Sequence, residues 1–438
     1  ALTAISFLDV ISDLGMGNAI IYFPEEKLTS STGFWVNQFI GLVVFFGTWL
    51  LAPLAGLYFR DPRVVPVLQV LGFVYPLRSL GGIHGAVINK RLQFGKSFLP
   101  DLLQSLTKGI ASIIFAWYGF GAWSLIWGYL LGTLVSSIGY WLATSWKPTL
   151  DFSFKVAKAM LNYGFKIIGL DIIAIFLVNL DYLLVGRYLG AGALGIYTIA
   201  FRLPDLLILQ FARILSSVLY PIYTHIRNEP DNVSRGFYMT SRYISLITVP
   251  LGLGLSLVAY PLTIAIFSEK WAAAAPVLSS LAIYTLILSL SYNTGSIYKA
   301  QGRPQVLTWL AVLRLSILFP ALWWAVTIVK SITLVGLSQA VIAFIGTAVS
   351  LFFATRLIKL PVLKLLDAFR PAFLAGSFMA LTVYFLLQLV SQKGPLIQLA
   401  VTIPAGGIVY ILILFLTNRD VLISGYQNLL NAIQPGKK

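Results

Sequence analysis

The sequence predicts an all-α polytopic membrane protein, and three observations support that prediction. The 438 residues are 58% hydrophobic, with a mean hydropathy of +0.86. Only 11% of the residues are charged, less than half of the roughly 25% found in soluble domains. Apolar runs of about 20 residues, the length that crosses a bilayer as a helix, recur along the whole chain.

Residue types that support several kinds of chemistry are rare or missing. The chain has no cysteine, which excludes disulfides, thiolate metal sites and cysteine nucleophiles. His84 and His225 are its only histidines, too few for a histidine-based zinc site. It also lacks a Walker loop, a dinucleotide fingerprint and a nucleophile elbow. We therefore expect neither a cofactor nor a bound metal.

Thirteen apolar segments are predicted to form membrane-spanning helices, and each needs about 20 residues to do so. The segments are 1–22, 33–59, 64–88, 98–117, 122–144, 161–184, 194–219, 244–267, 275–298, 305–329, 332–355, 371–390 and 396–417.

Lysine and arginine are concentrated in alternate connections between these segments. One set of connections holds twenty of the 31 basic side chains and the other set holds six. Cytoplasmic loops are rich in lysine and arginine, so this split predicts a cytoplasmic C-terminus and places Ala1 outside. It also accounts for the net charge of +16 without a nucleic-acid partner. One further helix ahead of Ala1 would bring both ends to the cytoplasm.

An internal repeat predicts the same additional helix. Residues 53–87 align with 261–297 at an offset of 208 that grows to 210, so that Pro66 meets Pro276 and Gly85 meets Gly295. The second half then has a segment, 161–184, without a partner in the first half. An even number of spans per half makes the repeats parallel, an arrangement that places substrate between the halves near the membrane midplane.

These observations predict four regions. Residues 1–148 form an amino-terminal lobe with five of its six helices present, and 149–160 form an interfacial linker. Residues 161–358 form a second six-helix lobe, and 359–438 form two additional helices and a cytoplasmic tail. Three stretches that mix basic and large apolar residues are predicted to be interfacial helices. They are 150–160, 360–370 and 419–433.

Charged residues inside the apolar segments are the candidate functional residues. Each costs about 2.5–3.5 kcal/mol at the centre of a membrane helix, so each needs a reason to be there. The cations are Arg78, Lys108, Arg202, Arg213 and Arg314. The acids are Asp9, Asp13, Asp101, Asp171 and Asp205, with Asp181 near a helix end.

Some of these charges recur at helical spacing. Arg202, Asp205 and Arg213 follow one another at three- and four-residue steps through Leu209, which places them on one helical face. Such a face suits an electropositive cavity that attracts a phosphate, for which arginine offers bidentate geometry. Alternatively the charges pair within the protein and hold helices together, for example Arg202 with Asp205.

A second stripe lies in the first half of the chain. Asp101, Gln104 and Lys108 share one helical face, and the repeat places Arg314 at the position of Gln104. Corresponding helices of the two halves therefore each carry a cation. Gly128 and Gly132 follow this stripe in the next segment, and their spacing is typical of close helix packing in membranes.

Several short motifs resemble one family of membrane transporters. They are Asp13-Leu14-Gly15-Met16-Gly17, Asn179-Leu180-Asp181-Tyr182, Gly186-Arg187-Tyr188-Leu189-Gly190, Leu194-Gly195-Ile196-Tyr197, Glu269-Lys270-Trp271 and Gln301-Gly302-Arg303-Pro304. In this combination the chain resembles Wzx-type lipid-linked oligosaccharide flippases. These belong to the polysaccharide-transporter branch of the multidrug/oligosaccharidyl-lipid/polysaccharide flippase superfamily. The family has fourteen helices, two six-helix lobes plus two, so this chain differs by lacking the first helix.

The resemblance implies a bacterial inner-membrane flippase rather than an enzyme. It would move an undecaprenyl-diphosphate-linked oligosaccharide to the periplasmic leaflet by alternating access, for surface polysaccharide biosynthesis. The expected partners are this glycan, membrane lipids and a polysaccharide polymerase, and the expected state is a monomer. Under this hypothesis the five cations bind the anionic head group. Asp9, Asp13, Asp171 and Asp205 bind a coupling ion or balance charge.

Two other functions are open to the sequence. A drug or cation exporter of the same architecture would have an acidic, aromatic-lined pocket, and the nearly balanced charge within the segments is compatible with it. A membrane glycosyltransferase or polymerase that uses a lipid-linked donor would need a large extracytoplasmic loop. The predicted outer loops have only about a dozen residues or fewer, the length of ordinary connections.

Overall fold

The computed structural model describes residues 16–24, 26–91, 93–303 and 305–417. The regular elements in these ranges are all helical, which confirms the predicted fold class. A helix satisfies its backbone hydrogen bonds internally, the requirement for a chain that crosses hydrocarbon. The chain divides into two compact units, Ala1–Leu183 and Leu184–Lys438. We call them the amino-terminal unit and the carboxy-terminal unit.

Seven helices run from the start of the described chain to the boundary between the units. They are α1 (Met16–Tyr22), α2 (Lys27–Phe59), α3 (Val64–Leu71), α4 (Val74–Lys90), α5 (Phe94–Trp117), α6 (Trp123–Ala143) and α7 (Phe154–Tyr188). The division after Leu183 falls inside α7. The lobe boundary predicted at 149–160 rests on the repeat rather than on compactness, and it stays a prediction.

The carboxy-terminal unit continues with ten helices and three short segments of other helical geometry. The helices are α8 (Gly190–Pro204), α9 (Gln210–His225), α10 (Pro230–Leu257), α11 (Ala259–Phe267), α12 (Ala275–Leu290), α13 (Thr294–Ala300), α14 (Gln305–Trp324), α15 (Ile332–Leu357), α16 (Val362–Leu389) and α17 (Pro395–Thr417). Asp205–Leu209 and Ala325–Val329 are π-helical turns, and Glu269–Ala274 is a 3-10 helix.

Nine helical stretches of the described residues are long and apolar enough to cross a membrane. The number is ten if α10 and α11, which meet at a bend of 75°, form one span. The helix α5 is not among them, and it carries the polar stripe of Asp101, Gln104 and Lys108. The chain is therefore a multi-pass membrane protein in which one helix of the amino-terminal unit is unusually polar.

The internal repeat is visible in equivalent hydrogen bonds of the two units. The Ser137 hydroxyl on α6 donates to the carbonyl oxygen of Leu77 on α4 at 2.6 Å. At an offset of 210, the Thr347 hydroxyl on α15 donates to the carbonyl oxygen of Ile287 on α12 at 3.1 Å. Both residues of the second pair lie 210 positions after those of the first. The repeat predicted for 53–87 and 261–297 therefore extends to α6 in the first unit and to α15 in the second.

The repeated span is interrupted at different places in the two units. In the amino-terminal unit α3 ends at Leu71 and α4 begins at Val74, and α4 then continues through Gly81 and Gly82. In the carboxy-terminal unit α12 is unbroken to Leu290, and the interruption at 291–293 falls opposite residues 81–83. Residues 81–83 thus lie within a continuous helix, whereas the equivalent residues 291–293 form a break between two helices.

The stretch between α6 and α7 is extended along the amino-terminal end of α2. The indole nitrogen of Trp35 donates to the carbonyl oxygen of Thr149 at 2.8 Å, and the Ser153 amide donates to the Thr32 hydroxyl at 3.2 Å. The interfacial helix predicted at 150–160 does not form separately, because α7 begins at Phe154 and no proline interrupts it. Residues 362–370 likewise begin α16, and 419–433 lie outside the described residues.

The last two helices pack against the middle of the carboxy-terminal unit. The Tyr410 hydroxyl of α17 donates to the carbonyl oxygen of Leu246 on α10 at 2.8 Å. A Cβ at Gly376 of α16 would lie 2.8 Å from a methyl group of Val249. A close approach at a glycine and a hydrogen bond between helices are both typical of helix association in membranes.

Candidate functional site

Helices α5 and α6 pack closely along the amino-terminal unit. A Cβ at Gly128 would lie 2.7 Å from the carbonyl oxygen of Lys108, and one at Gly132 would lie 2.8 Å from that of Gln104. No side chain fits at either position, so the two backbones approach each other directly. This confirms the packing role predicted for the two glycines, and it fixes the polar stripe of α5 against α6.

Helix α4 presents a face of small residues to the same region. Gly81, Gly82 and Gly85 all line a cavity, and a Cβ at Gly81 would lie 2.8 Å from the Cα of Ser137 on α6. At Gly85 a Cβ would lie 3.3 Å from the ring of Tyr140. At these three glycines the wall of the cavity is therefore main chain, and α4 adds the side chains of Arg78 and Asn89.

The cavity between α1, α4, α5 and α6 has a volume of about 460 Å³. Most of its side chains are polar, and two of the predicted charged residues, Arg78 and Asp101, line it. The polar lining consists of Arg78, Asn89, Asp101, Gln104, Tyr129, Thr133, Ser136, Ser137 and Tyr140. We call this space the polar pocket.

Charges and aromatic rings are paired around the polar pocket. The Tyr140 hydroxyl donates to an Asp101 carboxylate oxygen at 2.7 Å. The Lys108 ammonium lies 4.8 Å from the ring centroid of Tyr129, a cation–π distance. Tyr129 also borders a second, mainly apolar cavity of about 270 Å³ between α3 and α6. The structure thus brings Arg78, Asp101 and Lys108 to one region of the amino-terminal unit.

In the carboxy-terminal unit the acid of the predicted stripe pairs with the more distant arginine. Arg213 donates to Asp205 at 2.7 Å, whereas the sequence suggested Arg202 as an example of a partner. Asp205 begins the π-helical turn that ends at Leu209. That turn places more residues in each turn than an α-helix does, so the three- and four-residue spacing counted from Arg202 does not hold beyond it. Arg202 itself is exposed.

Arg314 contacts an aromatic group of the same unit. Its guanidinium donates to the Tyr284 hydroxyl at 3.0 Å and lies 5.8 Å from the centroid of that ring. Tyr292, in the interruption between α12 and α13, lies beside Arg213. Arginine and tyrosine side chains therefore contact one another in this unit, and Asp205 is the acid paired to Arg213.

Three predicted residues cannot be placed in a site. Asp9 and Asp13 lie outside the described residues, and Asp171 is described as backbone of α7 without its side chain. Within the described part of the chain, no group of three histidine, aspartate or glutamate residues could hold a metal ion.

Sequence reasoning missed the contribution of α6. Tyr129, Thr133, Ser136 and Tyr140 follow one another at steps of four, three and four residues, so they share one helical face. This polar stripe inside an apolar segment was readable from the sequence. The Gly81-Gly82 pair with Gly85 one turn later was also readable, and only the structure shows that the two patterns face each other.

Comparison with known proteins identifies the family. A family model described as polysaccharide biosynthesis protein matches residues 1–276, well over half of the chain. The chain belongs to this family. The family match includes the whole polar pocket, from α1 to α6, and ends in α12.

Three named relatives cover about three quarters or more of the chain at low identity. The succinoglycan biosynthesis transport protein ExoT of Rhizobium meliloti is 26% identical over 96% of this chain and 86% of its own length. The teichuronic acid biosynthesis protein TuaB of Bacillus subtilis is 24% identical over 93% of this chain and 85% of its own length. The lipopolysaccharide biosynthesis protein WzxC of Escherichia coli is 27% identical over 74% of this chain and 66% of its own length.

Solved structures share the fold. The lipid II flippase MurJ in an inward closed conformation superimposes with a TM-score of 0.77 at 17% identity, over 96% of this chain and 91% of that one. An inward-facing multidrug resistance transporter of the MATE family superimposes with a TM-score of 0.66 at 16% identity, over 82% and 88%. The chain therefore has the fold of the superfamily that the sequence motifs predicted.

Proposed function

We propose that this protein is a flippase that moves an undecaprenyl-diphosphate-linked oligosaccharide across the bacterial inner membrane by alternating access. The observation that carries the proposal is the set of cations in helices of a polysaccharide biosynthesis family member, all of which except Lys108 lie in helices long and apolar enough to cross the membrane. Such charges are expensive in hydrocarbon and are kept where they bind a substrate or a partner. Relatives named as a succinoglycan transport protein and as a lipid II flippase support the same function.

The cations have unequal roles in this proposal. Arg78 and Lys108 in the amino-terminal unit, and Arg202 and Arg314 in the carboxy-terminal unit, attract the diphosphate. Arginine provides the paired donors that a phosphate accepts. Arg213 contributes less to this attraction, because the carboxylate of Asp205 is 2.7 Å from its guanidinium.

The remaining elements of the proposal follow from the sequence. The C-terminus lies in the cytoplasm, because basic residues are concentrated in the connections on that side. Asp9, Asp13, Asp171 and Asp205 bind a coupling ion or balance the positive charge. The protein acts as a monomer, and a polysaccharide polymerase on the periplasmic side takes over the product.

The proposal is tested by removing the four cations in a strain that lacks the native gene. Arg78, Lys108, Arg202 and Arg314 are replaced together by glutamine, and surface polysaccharide is measured at matched protein levels in the membrane. We expect surface polysaccharide to be lost while the lipid-linked precursor accumulates.

A matched control carries four glutamine substitutions at exposed basic residues in connections between helices, Lys147, Arg227, Arg303 and Lys359. It should retain surface polysaccharide. Normal surface polysaccharide in the first variant would contradict the proposal, and equal loss in both variants would show that the effect comes from the protein's total charge.

A further inference from the structure

The polar pocket has a lining that suits a neutral, hydroxyl-rich ligand. Its two charged side chains, Arg78 and Asp101, have opposite signs, so the lining has no net charge. The other polar lining residues are amides, hydroxyls and tyrosines, which include both donors and acceptors of hydrogen bonds. A small anion would be repelled by the Asp101 carboxylate. A hydrophobic cation would make few apolar contacts, because most lining side chains are polar.

Size and shape point the same way. A volume of about 460 Å³ lies within the roughly 300–1,000 Å³ of small-molecule sites. Gly82 is exposed, and a Cβ at Gly85 would come within 3.3 Å of the ring of Tyr140. A flat ligand can therefore lie against the main chain of α4 and contact an aromatic ring.

We propose that the polar pocket binds a sugar of the lipid-linked glycan and that Asn89, Gln104 and Tyr140 select which sugar is accepted. The proposal rests on the proposed function and adds the location of sugar recognition. A hydroxyl group both donates and accepts, so an amide that fits one arrangement of hydroxyls leaves a polar group unpaired against another.

Asp101 acts on this selection as a positioning residue. It accepts the hydrogen bond of Tyr140 at 2.7 Å, which fixes the orientation of the tyrosine hydroxyl across the pocket. Removing that hydroxyl in Tyr140→Phe keeps the ring and its packing on Gly85. The variant therefore separates hydrogen bonding from shape.

The carboxy-terminal unit carries different residues at the equivalent positions. The repeat places Tyr292 opposite Gly82 and Arg314 opposite Gln104. In the register of the repeat, a tyrosine thus replaces a glycine and a cation replaces a neutral amide. Sugar selection is accordingly assigned to the amino-terminal unit alone.

The test uses the full chain in lipid nanodiscs and four defined probes. These are undecaprenyl diphosphate and the same lipid carrying galactose, glucose or N-acetylglucosamine. Dissociation constants are measured for the wild type, for the double variant Asn89→Ala/Gln104→Ala, for Tyr140→Phe, and for Gln388→Ala as an exposed amide control in α16. Thermal unfolding of each variant checks that it is folded.

We expect the wild type to bind at least one sugar-bearing lipid about tenfold more tightly than undecaprenyl diphosphate, the factor that about 1.4 kcal/mol corresponds to. The double variant and Tyr140→Phe should lose most of that preference while binding undecaprenyl diphosphate as before. The Gln388→Ala control should match the wild type.

Two outcomes would overturn the proposal, and they differ in what they imply. Equal wild-type affinity for all four lipids, or full preference in both pocket variants, removes sugar selection from the pocket and leaves the flippase function intact. No binding of any of the four lipids by the folded wild type overturns the flippase function together with the pocket assignment.

Discussion

The two units share a repeat but use it differently. In the amino-terminal unit α6 meets α5 at Gly128, Gly132 and Gly139. A Cβ at the first two would lie against the α5 main chain, and one at Gly139 would lie against Pro100. The equivalent positions on α15 are Ser338, Ile342 and Val349, which all carry side chains. The direct approach of α5 to α6 therefore depends on glycines that the second unit lacks at these positions.

A second contrast concerns how each unit treats its charges. Arg78 and Asp101 in the amino-terminal unit both border the polar pocket. In the carboxy-terminal unit Asp205 is bonded to Arg213, and Arg314 is bonded to Tyr284. The charges of the amino-terminal unit lie beside a cavity, where Asp101 is bonded to Tyr140, and those of the carboxy-terminal unit contact each other or Tyr284.

The largest effect is expected from disturbing the spacing of α5 and α6. Gly128→Val would place side-chain atoms against the carbonyl oxygen of Lys108, where a Cβ alone would lie at 2.7 Å. Overpacking of this kind typically costs about 1–3 kcal/mol or more, and the clash is with main chain that cannot move aside. We expect the variant to accumulate poorly in membranes, as measured by immunoblotting and size-exclusion chromatography. Gly346→Val, at a glycine of α15 with nothing within 4 Å, should accumulate normally.

The second prediction concerns Gly82, which is replaced by the tyrosine that stands at the equivalent position 292 of the carboxy-terminal unit. Gly82→Tyr places at a glycine of the polar pocket the side chain found at Tyr292, and its Cβ would lie 3.2 Å from the amide nitrogen of Asn37. We expect surface polysaccharide to fall to the level of the deletion strain while the protein remains in the membrane. The control is Gly47→Tyr on α2, where a Cβ would meet nothing within 4 Å. Full export by Gly82→Tyr would show that the pocket is not needed for transport.

A smaller effect is expected from the ion pair of the carboxy-terminal unit. Asp205→Asn, Arg213→Gln and the double variant form a mutant cycle, read out by thermal unfolding in detergent. Because the Arg213 side chain is 41% exposed, we expect a coupling of only about 1 kcal/mol. Zero coupling would show that the pair contributes nothing to stability.

The smallest effect tests the symmetry itself. Ser137→Ala removes one of the two equivalent hydrogen bonds, and Thr347→Val removes the other together with the hydrogen bond between the Thr347 and Ser291 hydroxyls. Hydrogen bonds between membrane helices average about 0.6 kcal/mol, so both variants should lower stability slightly, and Thr347→Val should lower it more. An equal or larger loss of stability in Ser137→Ala would mean that the two equivalent bonds are unequal in energy.

Much of the fold was predictable because apolar length alone determines a membrane helix. The segment predicted at 332–355 is the helix Ile332–Leu357, and that predicted at 396–417 is Pro395–Thr417. Alignment of the repeat needed only Pro66 with Pro276 and Gly85 with Gly295. The same alignment then located Thr347 opposite Ser137, a pair that the structure joins to equivalent carbonyl groups.

The pairing of charges was less predictable because it depends on local helix geometry. The π-helical turn at Asp205–Leu209 shifts the register, and no simple sequence rule reports it. The polar pocket was also missed, because it requires the glycine face of α4 and the stripe of α6 to meet across space. The sequence contains both the glycines of α4 and the polar stripe of α6, but it does not show that they lie next to each other.

The main-chain wall of the polar pocket has a consequence for how such transporters diversify. On α4, a side chain at Gly81 would lie against the main chain of Ser137, and one at Gly85 would crowd the ring of Tyr140. The three proposed selecting residues, Asn89, Gln104 and Tyr140, line the same pocket with polar side chains. New glycan preferences should therefore arise by substitution at these three positions while the two glycines stay constant, so that glycan range can vary between relatives without any change of fold.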